Sequence, residues 1–226
     1  MSDKEVMLAV LFYGLLLISA IFSFVYGIIC FFKKGKPLYA QLVTCGMGCF
    51  VMAYIFQILQ IFITKEIETG FQVGNLGIIG AMAFFFTASF GELDDDVDDG
   101  YKSLRKYRLL AFIAPLVILI IYLPSLFSSI SMQTKIVTLV QFIFIGPAAY
   151  YSFKHLIIPD VDVGIVTPIR AYNLVQLLIE LFLTLELGAI NFNGEVMAII
   201  FVVILSILFV ISIPLLKKGV SKWTRQ

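Results

Sequence analysis

Two carboxylates, Glu180 and Glu186, stand in stretches that otherwise carry almost no charge. A carboxylate at bilayer depth costs about 2.5–3.5 kcal/mol on insertion scales, so such groups usually bind something, relay protons or pair with a neighbour. Asn173, Gln176, Glu180 and Thr184 follow one another at intervals of three, four and four, which places them on one stripe of a helix. Glu186 falls off that stripe and close enough to the end of its segment to reach headgroups, so it is the weaker candidate. Other apolar stretches add Gln57, Gln60 and Thr64, then Asn75, then Thr138 and Gln141. Gln57, Gln60, Asn75, Gln141, Gln176, Glu180 and Thr184 form the expected lining of a polar cavity for a small ligand or ion, with Glu180 as its floor. The competing expectation is that these groups only bond helices together, at about 0.6 kcal/mol per pair.

A second concentration of chemistry is acidic. Glu92, Asp94, Asp95, Asp96, Asp98 and Asp99 put six acids within eight residues. Hard divalent cations take such oxygen ligands, so a cation held by Asp94, Asp95, Asp96, Asp98 and Asp99 is one expectation. Asp94, Asp96 and Asp98 have the opening spacing of an EF-hand loop. Position six would be Asp99 instead of glycine and position twelve Arg105 instead of an acid, so that pattern breaks. With Lys102, Arg105, Lys106 and Arg108 following, the run also reads as locally paired, solvated charge. Gly91 is placed to end the preceding helix, and Asp98 or Asp99 to cap a short segment over Tyr101–Arg108. Asp160 and Asp162 could approach this loop from across the bundle. His155, the single histidine, sits beside Lys154 and reads as interfacial.

Asp96-Val97-Asp98-Asp99-Gly100 is similar to the DxxDG opening of the CDP-alcohol phosphotransferase family. That family continues with further acids on the next helix, whereas the apolar stretch after Arg108 holds none, so the likeness covers five residues. The seven-segment pattern also resembles the microbial rhodopsins in topology. Their retinal needs a lysine midway along the seventh helix, and Val196–Leu216 has none, so no retinal is expected. Sugar transporters of the SWEET type share the topology, but the first, second and sixth segments lack internal prolines.

The elements that must position these residues follow from composition. The 226 residues are 61% hydrophobic and 14% charged, with a mean hydropathy of +1.02. A soluble domain is about 45–50% apolar and about 25% charged. A core of this size cannot hide that excess, which excludes a disordered chain, a disulfide scaffold and a soluble enzyme. The net charge of +1 carries no nucleic-acid footprint. A membrane-spanning helix needs about 20 apolar residues, and seven stretches qualify, over residues 6–32, 38–63, 71–90, 109–127, 136–153, 169–190 and 196–216. The first is too long for a cleaved signal. No alternating strands suggest a barrel.

The expected fold is therefore a single all-α integral membrane domain over residues 1–226, a bundle of seven transmembrane helices. Lys33, Lys34, Lys36, Lys102, Arg105, Lys106, Arg108, Lys154, Arg170, Lys217, Lys218, Lys222 and Arg225 fall on one side, and only Lys4, Lys65 and Lys135 on the other. Positive residues stay cytoplasmic, so the N-terminus is expected outside and the C-terminus in the cytoplasm of a cell-membrane protein. Gln57, Gln60, Asn75, Gln141, Thr184 and Glu186 then fall in the outer half and Glu180 near the middle.

Small residues mark packing faces: Gly74, Gly77, Gly80 and Ala83 in the third helix, and Cys45, Cys49 and Ala53 in the second. Pro115 and Pro147 are expected to bend the fourth and fifth helices. The leading functional expectation is a sensor-like or receptor-like protein that takes a small ligand or ion from outside and signals to a cytoplasmic protein partner. A small transporter or channel with Glu180 as proton or cation relay comes second. A metal-dependent membrane enzyme at the acidic loop comes third, with no general base or nucleophile identifiable.

Overall fold

A computed structural model describes residues 3–64, 72–93, 102–127, 131–159, 166–191 and 195–223. These form seven helices long and apolar enough to cross a membrane, with no strand among the described residues. They are α1 (Asp3–Phe31), α2 (Leu38–Thr64), α3 (Val73–Thr87), α4 in two pieces (Arg105–Ala111 and Ile113–Phe127), α5 (Met132–Ile157), α6 (Val166–Asn191) and α7 (Glu195–Trp223). Most helices run past their apolar stretches. Each added residue contributes a backbone hydrogen bond once a helix exists, so polar flanks extend it until a cap intervenes. At the start of α5 that cap is Ser131, whose Oγ accepts from the Thr134 N–H at 3.2 Å.

Two helix ends depart from expectation. Gly91 does not stop α3; the chain continues through it as a π-helical turn, Ala88–Leu93. The Ala88 N–H at its start is shared between the carbonyls of Phe84 and Phe85. Gly91 keeps a negative φ, and among the described residues only Gly35, at φ 81° between α1 and α2, adopts the left-handed backbone. In the segment leading into α4, residues 102–104 form a 3₁₀ turn and the α-helix begins at Arg105 after Leu104.

The break in α4 has a local cause. Pro115 has no N–H to give the Ala111 carbonyl, and its ring crowds that turn. Phe112 leaves the helix, its N–H reaching Leu109 O at 3.3 Å. Pro124 and Pro147 stay inside helices.

Neighbours in the bundle run α1, α2, α3, α5, α6, α7 and back to α1, with α4 packed outside against α5 and α6. The second and third helices meet through their small residues. A Cβ built on Gly74 would lie 2.9 Å from Ala53 O, one on Gly77 2.8 Å from Cys49 O, and one on Gly80 3.4 Å from Cys49 Sγ. Lipid gives no hydrophobic drive between helices, so close backbone approach of this kind is what holds them. Large apolar side chains such as Ile18, Phe62, Ile120 and Ile207 point outward while Phe50, Phe85 and Phe209 fill the centre. That outward apolar surface suits a protein that spans a membrane.

Candidate functional site

The buried face of α6 carries the stripe expected from the sequence. Asn173, Gln176, Glu180 and Thr184 are all fully buried. Glu180 Oε1 accepts from Gln176 Nε2, one turn earlier on α6, and from Ser152 Oγ on α5, each at 3.1 Å. Its second oxygen, Oε2, has no hydrogen-bond partner among the described residues. Thr184 Oγ1 donates to the Glu180 carbonyl at 2.8 Å, so it supports the backbone and not the carboxylate.

Toward the end bearing the basic loops, the polar line goes on. Tyr39, at the start of α2, donates its hydroxyl to Asn173 Oδ1 at 3.4 Å. Its ring meets that of Tyr172 edge-on at 6.1 Å. Both tyrosines are buried and within electrostatic reach of Glu180. Asn173 Nδ2, Gln176 Oε1 and the Tyr172 hydroxyl have no partner among the described residues. A buried polar group without a partner costs on the order of 1–3 kcal/mol. Three such atoms near Glu180, together with its own Oε2, make this the region where a bound group would gain most.

The other expected residues sit nearer the opposite end. Gln141 Nε2 donates to Asn75 Oδ1 at 3.4 Å, joining α5 to α3. Gln57 is buried against Gly74, its Oε1 without a partner among the described residues. Gln60 is half-buried, and its carbonyl accepts from Thr64 Oγ1 at 3.0 Å. Along α5, eleven residues separate Gln141 from Ser152, roughly 16 Å of rise, and Ile145, Ala148 and Ala149 are buried between them. Glu180 therefore takes its hydrogen bonds from Gln176 and Ser152, and Gln141 gives its own to Asn75.

Glu186 does not turn toward the headgroups. It is 4% exposed and lies within electrostatic reach of Tyr13 on α1, Tyr54 on α2 and Tyr122 on α4. His155, near the end of α5, is fully buried beside Tyr151, ring centroids 6.0 Å apart. The neighbouring Lys154 is also buried, its Nζ 5.3 Å from the Tyr151 ring centroid.

Ser152 and the five tyrosines lie outside the set of residues expected from the sequence. Their signals were present. Thr138, Gln141, Ile145, Ala148 and Ser152 continue one helical face at three- and four-residue steps. Tyrosines favour membrane interfaces, yet Tyr13, Tyr54 and Tyr122 stand within apolar runs.

No group of three or more potential metal ligands occurs among the described residues. Asp94, Asp95, Asp96, Asp98 and Asp99 lie outside them, as do Asp160 and Asp162. Cys45 and Cys49 are half-buried free thiols, Cys49 serving as the surface opposite Gly80. Compared with known protein families, curated proteins and solved structures, the chain gives no match.

Proposed function

We propose that this chain is a small multi-pass membrane transporter in which Glu180 relays a proton or small cation through the bundle. The supporting observation is the position of Glu180: fully buried, one oxygen held by Gln176 and Ser152, the other without a partner among the described residues. Polar side chains then continue toward both ends of the bundle. Asn173, Tyr39 and Tyr172 lead to the basic end, and Thr184 stands one turn on toward the other, its hydroxyl given to the Glu180 carbonyl. A site that only received a ligand from outside would not need the basic-end half of that line. In this reading the protein sits in the cell membrane with its basic loops in the cytoplasm and its N-terminus outside, as the lysine and arginine distribution favours.

The test is flux in liposomes holding the purified protein and a pH-sensitive dye. Wild type dissipates an imposed pH gradient, and Glu180→Gln, which keeps size and most hydrogen bonding, does not. Equal flux in the two, or none in wild type with either a proton or a potassium gradient, overturns the proposal.

A sensor that takes a small ligand or ion at Glu180 and acts on a cytoplasmic partner is the second reading. It is favoured by the π-helical turn that carries α3 into the acidic loop, because such turns often mark functional positions. A divalent cation at Asp94–Asp99 would belong to that loop's response.

A further inference from the structure

We infer that the species relayed at Glu180 is the proton, carried toward the basic end by a short file of ordered water held along Glu180, Gln176, Asn173 and Tyr172. The inference rests on the relay role proposed for Glu180 and narrows it from a proton or small cation to the proton.

The path is set by which end of each side chain is already engaged. Helical side chains lean toward the N-terminal end of their helix, and for α6 that is the basic end. The Glu180 carboxylate leans so, its Oε1 accepting from Gln176 Nε2 and Ser152 Oγ, each at 3.1 Å. Gln176 uses its amide nitrogen in that bond, and its Oε1 is left over. Asn173, three residues earlier, accepts the Tyr39 hydroxyl at Oδ1, 3.4 Å away, and its Nδ2 is left over. Tyr172 meets Tyr39 ring edge to ring face at 6.1 Å, and its hydroxyl has no partner among the described residues.

Unengaged atoms therefore recur turn by turn along one buried face: Glu180 Oε2, Gln176 Oε1, then Asn173 Nδ2 with the Tyr172 hydroxyl. Seven residues separate Asn173 from Glu180, roughly 10 Å of rise. One molecule cannot bridge that span, but a file of about two or three waters at hydrogen-bond spacing can.

The mixture of chemistry selects the occupant. Two acceptors, one donor and a hydroxyl that serves as either suit water, which gives and takes hydrogen bonds and settles where buried polar groups need partners. A sodium or potassium ion must instead exchange its hydration shell for a ring of oxygens. Asn173 presents its N–H₂ side, which repels a cation, and two amide and carboxylate oxygens make no ring. From α5, Lys154 and His155 stand against the Tyr151 ring, and neither gives a hydrogen bond to Glu180 Oε2.

In the transfer, the Glu180 O–H bond breaks and an O–H bond forms on the first water, which releases one of its own protons to the next. Glu180 ends as a carboxylate, each water ends as water, and the last proton leaves past Tyr39. No oxidant, metal or second substrate is consumed.

Infrared difference spectra of the protein in vesicles, acid minus neutral, read the water without depending on flux. Bands of ordered water shift when H₂¹⁸O replaces ordinary water, and side-chain bands do not. Wild type should show such shifted bands, and Asn173→Leu should lose them. In liposomes Asn173→Leu should slow dissipation of a pH gradient on the order of a hundredfold, as loss of a positioned proton-transfer group does. Asn173→Ser keeps a polar group and should keep the bands, which separates loss of the water from loss of packing. Tyr172→Phe removes a hydroxyl alone and should both alter the bands and slow the flux, so the test stands even if Asn173→Leu does not fold. Wild type should leave sodium and potassium gradients intact. Absence of any ¹⁸O-shifted band, or wild-type flux in both Asn173→Leu and Tyr172→Phe, overturns the water file. Sodium or potassium flux that Glu180→Gln stops overturns the assignment to the proton and leaves the relay standing. Unchanged flux of every ion in Glu180→Gln overturns the relay itself.

Discussion

Gly77 of α3 lies so close to Ala53 of α2 that a Cβ built on the glycine would sit 2.8 Å from both the alanine Cβ and its backbone nitrogen. Backbone cannot move aside as a flexible side chain can. Gly77→Ala should therefore part the two helices and cost about 1–3 kcal/mol, as overpacking does. One turn along, a Cβ on Gly80 would meet only Cys49 Sγ, at 3.4 Å. Gly80→Ala should be neutral or stabilising, since alanine is favoured over glycine in a helix by about 1 kcal/mol. Thermal unfolding in detergent should show a clear fall in midpoint for Gly77→Ala alone; equal behaviour of the two variants would contradict the docking of these faces.

Arg170 ties the start of α6 to the end of α5, its Nη2 donating to Ile158 O at 2.7 Å. Hydrogen bonds from a charged donor contribute about 1.5–3 kcal/mol. Arg170→Ala should lower stability within that range. The same bond should leave the Ile157–Ile158 region less protected in amide hydrogen exchange when it is lost. Protection equal to wild type would show that the bond holds nothing in place.

The Asn75–Gln141 pair offers a measure of bonding between helices. A double-mutant cycle with Asn75→Ala and Gln141→Ala should return a coupling of about 0.6 kcal/mol, as for other pairs inside membrane bundles. Liposome flux should persist in both single variants, because neither residue bonds to Glu180. Abolished flux in Gln141→Ala would place it on the path.

Orientation can be decided chemically. Lys102 is exposed at the basic end. In a chain whose Cys30, Cys45 and Cys49 are replaced, Lys102→Cys should resist an impermeant thiol reagent in intact cells and react once the membrane is opened. Labelling in intact cells would reverse the proposed topology.

The sequence by itself determined the seven helices and the buried stripe of α6. Both rest on local periodicity: apolar runs near 20 residues long, and Asn173, Gln176, Glu180 and Thr184 at helical spacing. It also marked the small-residue faces of α2 and α3, since Gly74, Gly77 and Ala53 mean close approach wherever they pack. Tertiary structure alone decided the partners. Ser152 is 28 residues from Glu180 and Tyr39 is 134 from Asn173, and no local pattern records which face of one helix turns to another. The same holds for Glu186: its position predicts a reach to the headgroups, but the rotation of α6 leaves it buried within the bundle. In lipid, apolar side chains face outward or inward at similar cost. Helix rotation is therefore set by steric fit and by the few polar groups that need partners, and both exist only once the helices have met.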